Sequence, residues 1–376
     1  MTFDFDAIID RTHTDSTKWD KYKDTGILPL WVADMDFRSP EPVIEALVAR
    51  ARHGVFGYTH APDELVEVII QRLKRLYNWQ IEADELVFFP GVVAGLNLAC
   101  RAHTQPGEGV ITAVPIYPPF ISAPEFSGRE LIKVPAIYEE GRWEFPMEGL
   151  EAVATGNARL LLLCNPYNPI GRVLERDELE TIVDICKTHN IVICSDEIHC
   201  DLVFDDRKHI PTATISRDAA EITVTLMAPS KTFNIAGFGG SFAVIQNPEL
   251  RKQFKDQMHG IVHGINIMGW TSMLAAYRDG EEWYRALMAY LQQNRDYLAQ
   301  AFEEIPGITM NQVEATYLAW LDVSALNLND APSFFEQAGI GMSEGYRFDD
   351  DRFMRLNFGC ARSLLEEAIS RFKRAL

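Results

Sequence analysis

A carboxylate and an amine follow two apolar runs near the middle of this 376-residue sequence. Asp196 follows residues 191–195, and Lys231 lies shortly after residues 222–228. The two residues are 35 positions apart, enough for one strand–connection–strand excursion, so both side chains are expected at the same edge of a sheet. Taken singly, an aspartate at a strand end most often caps a helix or lies in a solvated turn, and a lysine is most often a surface cation.

The surroundings of Lys231 favour a chemical role. Ser230 and Lys231 lie between an apolar run and the glycine-rich residues 232–240. Such surroundings disfavour the ammonium form of a lysine and leave a neutral amine that can act as nucleophile and base. A cofactor that presents a carbonyl group is the expected partner of this amine.

A glycine turn is the next candidate. Gly91 ends an apolar run and precedes residues 92–103, which have the pattern of a helix. Backbone N–H groups at a helix start can bind a phosphate, although a glycine there is also an ordinary strand-to-helix turn. Residues 165–171 form another polar segment directly after an apolar run.

The elements that must position these residues follow from hydrophobic patterning. Residues 176–189 alternate apolar and charged positions with helical spacing, which predicts an amphipathic helix between buried strands. Helices between continuous apolar strands imply a largely parallel sheet covered on both faces, placed at residues 45–275. The predicted strands are residues 85–89, 109–114, 131–134, 159–164, 191–195, 222–228 and 241–245.

A smaller α+β domain is predicted from residues 1–44 and 276–376. Residues 281–304 and 331–338 have helical patterns, and residues 318–323 and 353–358 are apolar enough for strands. The 42.6 kDa mass agrees with two domains.

Bulk properties exclude several functions. The net charge of −19 repels nucleic acid, and no local basic patch offsets it. The six cysteines form no CxxC pair and several lie in apolar runs, so buried reduced thiols are expected rather than a cysteine nucleophile. No secretion signal and no membrane-length apolar run is found, which predicts a cytoplasmic protein.

Several ordered segments resemble a known family. The sequence is similar to the fold-type I pyridoxal 5′-phosphate (PLP) enzymes, and within them to the cystathionine β-lyase (C–S lyase) subfamily of class-II-aminotransferase-like proteins. This resemblance implies an α/β, aspartate-aminotransferase-like fold with a large, mostly parallel sheet domain and a smaller α+β domain. The matching segments are residues 28–37, 53–59, 114–120, 164–172, 195–201, 228–237 and 355–360.

The resemblance implies roles for the residues introduced above. Lys231 matches the lysine that holds PLP as a Schiff base and later removes the substrate α-proton. Asp196 matches the carboxylate that keeps the pyridine nitrogen protonated. Asn168 matches the residue that bonds the phenolic oxygen of PLP, and Tyr117 matches an aromatic residue that stacks on the ring.

Further matches concern the phosphate and the substrate. Val92, Val93 and Ser230 match phosphate donors, and Tyr58 matches a tyrosine that reaches the phosphate of a neighbouring subunit, which implies a homodimer with shared active sites. Arg355 matches the arginine that binds the substrate α-carboxylate through its bidentate guanidinium. Trp31 and Asp34 lie in a matching segment without firm roles.

Two positions depart from the aminotransferase pattern. His199 stands among the predicted cofactor-binding residues where many aminotransferases have a tyrosine, and it resembles the lyase subfamily. Gly239 stands where many aminotransferases have an arginine, so a strong cation for the phosphate is not expected.

The resulting prediction is β-elimination from L-cystathionine or another cysteine S-conjugate, which yields a thiol, pyruvate and ammonia. Two alternatives stay open: an aminotransferase on the same fold, and a PLP-bound regulatory protein. The predicted partners are an amino-acid substrate and a second copy of the chain, with no metal, nucleic acid or membrane.

Overall fold

The computed structural model describes residues 3–139 and 141–376. The helices in these residues are α1 (Thr17–Asp20), α2 (Glu41–His53), α3 (Asp63–Tyr77), α4 (Val92–His103), α5 (Pro118–Phe126), α6 (Met147–Ala154), α7 (Arg176–Thr188), α8 (Arg217–Ile222), α9 (Pro248–Met258), α10 (Ile267–Asp279), α11 (Glu281–Glu303), α12 (Ala331–Gln337) and α13 (Arg362–Ala375).

The strands of the described residues belong to four sheets. They are β1 (Leu28–Pro29), β2 (Leu86–Phe89), β3 (Gly109–Val114), β4 (Glu130–Pro135), β5 (Ile137–Glu139), β6 (Arg142–Glu144), β7 (Ala158–Cys164), β8 (Val192–Asp196), β9 (Thr223–Met227), β10 (Ser241–Val244), β11 (Thr309–Met310), β12 (Leu318–Asp322), β13 (Ile340–Gly341), β14 (Ser343–Glu344) and β15 (Phe353–Asn357).

The largest sheet has seven strands in the order β2-β10-β9-β8-β7-β3-β4. Strands β4, β3, β7, β8 and β9 pair in parallel, and β10 is antiparallel to both β9 and β2. The predicted, mostly parallel sheet is therefore confirmed. Because β10 reverses direction between them, β2 runs the same way as β8 and β9, and their carboxyl ends share one edge.

The apolar runs form strands because they are buried on both faces. All residues of β3 and β9 are buried, as expected for strands covered by helices on each side. Most predicted strands of this sheet differ from the observed ones by one residue at one or both ends; for example, Ile222 ends α8, and β9 starts at Thr223. The helix predicted over residues 176–189 is α7, whose buried residues Leu179, Ile182 and Cys186 follow the helical period.

A second, antiparallel sheet has the order β11-β12-β15-β14. Its central strand β15 is buried at every residue, and Trp320 of β12 pairs with Arg355 of β15. Leu30 and Met35 from the N-terminal part pack in the same apolar cluster as Leu287 and Leu356. The domain boundaries near residues 45 and 275 stay a prediction.

The cysteines are as the sequence predicts. All six cysteines are free thiols, and five of them are buried. Burial raises the pKa of Cys100 and of Cys186 to about 12, so these thiols stay protonated.

None of the helices in residues 3–139 and 141–376 is both long and apolar enough to span a membrane.

Candidate active site

The polar residues predicted at strand ends meet in one cavity. Its volume is about 210 Å³, and it opens at the carboxyl edge of β2, β7, β8 and β9. The register of the sheet places Cys164, the last residue of β7, opposite Asp196, the last residue of β8. The lining residues are Ala33, Pro90, Gly91, Val92, Val93, Ala94, Tyr117, Cys164, Asn168, Asp196, Ile198, His199, Ser230, Lys231 and Ala236.

Lys231 brings an amine into this cavity. Its Nζ donates to the backbone carbonyl of Ala33 at 2.6 Å. Burial, followed by the charge of Arg355, lowers the pKa of Lys231 to about 8. Because a lower pKa increases the neutral fraction near neutrality, the amine is poised to act as a nucleophile and as a base.

Asp196 is a buried carboxylate whose only hydrogen bond in the described residues comes from the backbone N–H of Ile198, at 3.1 Å. Burial raises the pKa of Asp196 to about 7; the charge of Lys231 opposes this shift, although no cation in the described residues lies within ion-pair distance of the carboxylate. A buried carboxylate without a cationic partner is costly, so this site favours a ligand that brings a positive or protonated group.

Arg355 is a buried cation held by neutral acceptors. Its Nη1 donates to Asn168 Oδ1 at 3.0 Å, and its Nη2 donates to the carbonyl of Trp31 at 2.9 Å and to Ser343 Oγ at 3.2 Å. Its Nε is buried without a partner in the described residues, and its guanidinium lies 4.6 Å from the ring centre of Phe348. Burial lowers the pKa of Arg355 to about 10, as expected for a cation with no carboxylate beside it.

The far end of the cavity is a helix start. Gly91 has φ of 107°, a conformation that favours glycine, and it lets β2 turn directly into α4. Val92 and Val93 are the first residues of α4, where backbone N–H groups lack helical partners. Ser230 lines the same cavity. Gly239 lies beside Pro90, so the position without an arginine is close to this end of the cavity.

Two aromatic rings complete the wall. Tyr117 precedes α5, and its backbone N–H donates to the carbonyl of Asn168 at 3.1 Å, which brings the predicted stacking residue beside the predicted phenol-binding residue. His199 is buried, and this burial lowers its pKa to about 3, so its ring is neutral. The ring of His199 meets that of Tyr317 edge to face, at 6.2 Å between centres.

Four predicted residues lie outside the cavity lining. Arg355 is one of them, and it contacts the lining through Asn168 Oδ1. Tyr58 is fully exposed to solvent. Asp34 pairs with Arg11 at 2.8 Å. Trp31 contributes its backbone carbonyl to Arg355 rather than its ring, and the indole Nε1 of Trp31 donates to the carbonyl of Lys18 at 2.9 Å.

Sequence reasoning missed three groups that contact the predicted site residues. They are the carbonyl of Ala33, which accepts from Lys231, the ring of Tyr317, which meets that of His199, and the hydroxyl of Ser343, which accepts from Arg355. Ser343 pairs with Arg355 across β14 and β15, so a correct register of the small sheet would have found it. A backbone carbonyl gives no signal in the residue types, which is why Ala33 was not a candidate.

The comparisons with known proteins decide the family. Residues 25–372 match the family described as Aminotransferase class I and II. The chain belongs to this family. A cystathionine β-lyase, PatB, from Bacillus subtilis is 37% identical over 99% of both chains.

Solved structures of the family show the same fold. A crystal structure of OvoB is 48% identical, covers 100% of this chain and 99% of its own, and superposes with a TM-score of 0.97. Cystalysin from Treponema denticola, whose structure contains PLP, is 33% identical with a TM-score of 0.96, covering 100% of this chain and 99% of its own.

The cavity of this family member fits PLP group by group. The helix start at Gly91, with Ser230, suits a phosphate. The buried carboxylate of Asp196 suits a protonated ring nitrogen, and the amine of Lys231 suits an aldehyde. Since Asn168 Oδ1 is used by Arg355, its amide Nδ2 remains as a donor for a phenolic oxygen.

Proposed function

We propose that this protein is a PLP-dependent C–S β-lyase that cleaves L-cystathionine or a related cysteine S-conjugate to a thiol, pyruvate and ammonia. The observation that carries the proposal is the meeting, in one cavity, of the Lys231 amine with a lowered pKa and the unpaired carboxylate of Asp196. The similarity to a named cystathionine β-lyase over nearly the full length supports the lyase activity.

Cofactor binding is assigned to residues at both ends of the cavity. Val92, Val93 and Ser230 would hold the phosphate, Asp196 the ring nitrogen, and Asn168 the phenolic oxygen. Tyr117 would cover the ring, and neutral His199 would pack at its edge without adding charge. When bound, PLP draws electrons away from the α-carbon of an amino acid, so that its proton and a β-substituent can leave.

Arg355 would orient the substrate. Its acceptors are an amide oxygen, a backbone carbonyl and a hydroxyl, none of which carries charge. The guanidinium is therefore free to pair with the substrate α-carboxylate, and this pairing fixes which face of the α-carbon meets the Lys231 amine.

Lys231 would then move the proton. Its amine takes the α-proton, the Cβ–S bond breaks, and the bonding electron pair leaves with sulfur, which becomes a thiol once protonated. The remaining three-carbon fragment, 2-aminoacrylate, reacts with one water to give pyruvate and ammonia. The atoms of substrate and water balance without an oxidant or a second amino-group acceptor.

We further propose a cytoplasmic homodimer with shared active sites. Full exposure of Tyr58 in a single chain leaves its ring free for the phosphate end of a partner's cavity. The exposed side chains of Val55 and Phe56 next to it favour a protein contact at this segment. Six free thiols agree with a reducing compartment.

The reaction is tested by supplying L-cystathionine without a 2-oxo acid. The proposal expects pyruvate and free thiol in equal amounts, and pyruvate with the corresponding thiol from other cysteine S-conjugates. A requirement for a 2-oxo acid, with pyridoxamine phosphate accumulating and no thiol released, would identify an aminotransferase instead.

A further inference from the structure

One backbone carbonyl accepts two side-chain donors beside the cavity. The carbonyl oxygen of Ala33 accepts the amine of Lys231 at 2.6 Å and the hydroxyl of Tyr317 at 3.0 Å. A carbonyl oxygen has two lone pairs, so these donors fill its capacity. Lys231 can therefore give only one of its hydrogens to this oxygen.

The carbonyl is held in place by residues around it. Residues 31–37, here called the N-terminal strap, are bonded on both sides of Ala33. Asn357 donates to the carbonyls of Val32 and Asp34, and Asn234 bonds both the N–H and the carbonyl of Met35. A fixed strap gives the Lys231 amine one defined acceptor position.

Tyr317 is equally constrained. It is 1% exposed, its ring meets His199 edge to face, and its carbonyl accepts the N–H of Phe358 at 2.8 Å. Burial raises the pKa of Tyr317 far above its ordinary value, so the hydroxyl keeps its proton and acts as a donor. The hydroxyl proton of Tyr317 and the amine of Lys231 therefore point at the same Ala33 carbonyl oxygen.

We propose that Tyr317 is a positioning residue for Lys231, because its hydroxyl fills the second acceptor site of the Ala33 carbonyl, limits the unbound lysine amine to one hydrogen bond with this oxygen and so disfavours its ammonium form. Two groups that donate to the same oxygen place their partially positive hydrogens close together. This repulsion destabilises an ammonium more than a neutral amine. The inference rests on the assignment of Lys231 as the cofactor lysine in the proposed function.

Other charged and titratable groups also face the Lys231 amine. The carboxylates of Asp34 and Asp196 favour its charged form, and the guanidinium of Arg355 opposes it. His199 is neutral because its pKa is about 3. Removing only the Tyr317 hydroxyl leaves all of these in place, so the change isolates the shared carbonyl.

The test uses the full-length chain, freed of cofactor and mixed with PLP over a pH range that spans the lysine titration. The rate at which the visible absorbance of lysine-bound PLP appears reports the neutral fraction of Lys231. For Tyr317→Phe the midpoint of this rate profile should rise by about 0.5–1 pH unit, the equivalent of one neutral hydrogen bond. At pH 7 loading should slow by about 3- to 10-fold.

Tyr284→Phe is the matched control, because its hydroxyl also donates to a backbone carbonyl, that of Asp201 at 2.7 Å. The control should leave the midpoint unchanged. An unchanged midpoint in Tyr317→Phe, even with a lower thermal midpoint, would show a structural role and overturn the proposal. Absence of any visible absorbance in the unaltered chain would instead overturn the proposed function together with this inference.

A second readout uses the loaded protein. L-Alanine has no leaving group, so exchange of its α-proton with deuterated solvent follows proton transfer by Lys231 alone. The pH profile of exchange in Tyr317→Phe should move in the same direction as the loading profile. A loss of exchange at every pH without a shifted midpoint would contradict the positioning role.

Discussion

Lys231 and Arg355 donate to the same backbone segment, to carbonyls only two residues apart. Lys231 Nζ bonds the carbonyl of Ala33 at 2.6 Å, and Arg355 Nη2 bonds that of Trp31 at 2.9 Å. The two cations come from different sheets, since Lys231 follows β9 and Arg355 lies on β15. The N-terminal strap therefore sets the spacing between the proposed base and the proposed carboxylate-binding group.

The first prediction concerns the negative charge of Asp196. Asp196→Asn keeps the size of the side chain but removes the carboxylate that would stabilise a protonated ring nitrogen. We expect kcat for pyruvate release to fall by at least about 100-fold, the scale of one preorganised electrostatic contact. Asp184→Asn, on the exposed face of α7, is the control. Near-normal turnover in Asp196→Asn would contradict its role.

The shape of the Arg355 side chain gives the second prediction. Arg355→Lys retains the charge but loses the planar fork that bonds a carboxylate bidentately. The KM for L-cystathionine should rise by about 10-fold or more, with a smaller change in kcat, since one charge-assisted hydrogen bond is lost. Arg347→Lys changes an exposed arginine on the nearby segment and should leave KM unaltered. Equal KM values for both variants would contradict the assignment of Arg355 as the residue that binds the substrate α-carboxylate.

The neutrality of the acceptors around Arg355 gives the third prediction. Ser343→Asp places an anion where Ser343 Oγ now accepts from Arg355 at 3.2 Å. This internal carboxylate competes with the substrate carboxylate, so KM should rise well beyond that of the neutral variant Ser343→Asn. Both variants should bind PLP alike. If Ser343→Asn and Ser343→Asp raise KM equally, the increase comes from side-chain shape. The added carboxylate then does not compete with the substrate carboxylate for Arg355.

Neutral His199 gives a prediction on pH and stability. Its pKa is about 3 in the folded chain and about 6.5 when unfolded, so the unfolded chain binds more protons between these values. The free energy of unfolding therefore falls as the pH decreases through this window. In His199→Asn this loss should be smaller by about 1 kcal/mol between pH 7 and pH 5.5, measured by urea unfolding. Identical pH dependence in both proteins would refute the buried neutral state.

The large sheet was predictable from sequence because its strands are continuous apolar runs. Residues 109–114 became β3 with the same bounds, and residues 92–103 became α4. Strands of two or three residues, such as β1, β13 and β14, were not predicted because so few residues carry no period. These short strands nevertheless position Trp31 and Ser343 against Arg355.

The site was predictable as far as polar side chains follow strand ends. Asp196 and Lys231 reach one cavity because β8 and β9 are parallel neighbours. The contacts of Lys231 with Ala33 and of Tyr317 with the same carbonyl join residues roughly 200 and 280 positions apart. Such pairings arise from how the strap packs on the second sheet, and neither residue type nor spacing encodes them.

The Schiff-base role of Lys231 can be tested directly on the loaded protein. Borohydride reduction of the PLP-loaded protein, followed by digestion and mass spectrometry, identifies the lysine that is bonded to the cofactor. We expect a phosphopyridoxyl group on Lys231, and loss of both this group and the visible absorbance in Lys231→Ala. Modification of a different lysine, or an unchanged spectrum in Lys231→Ala, would contradict it.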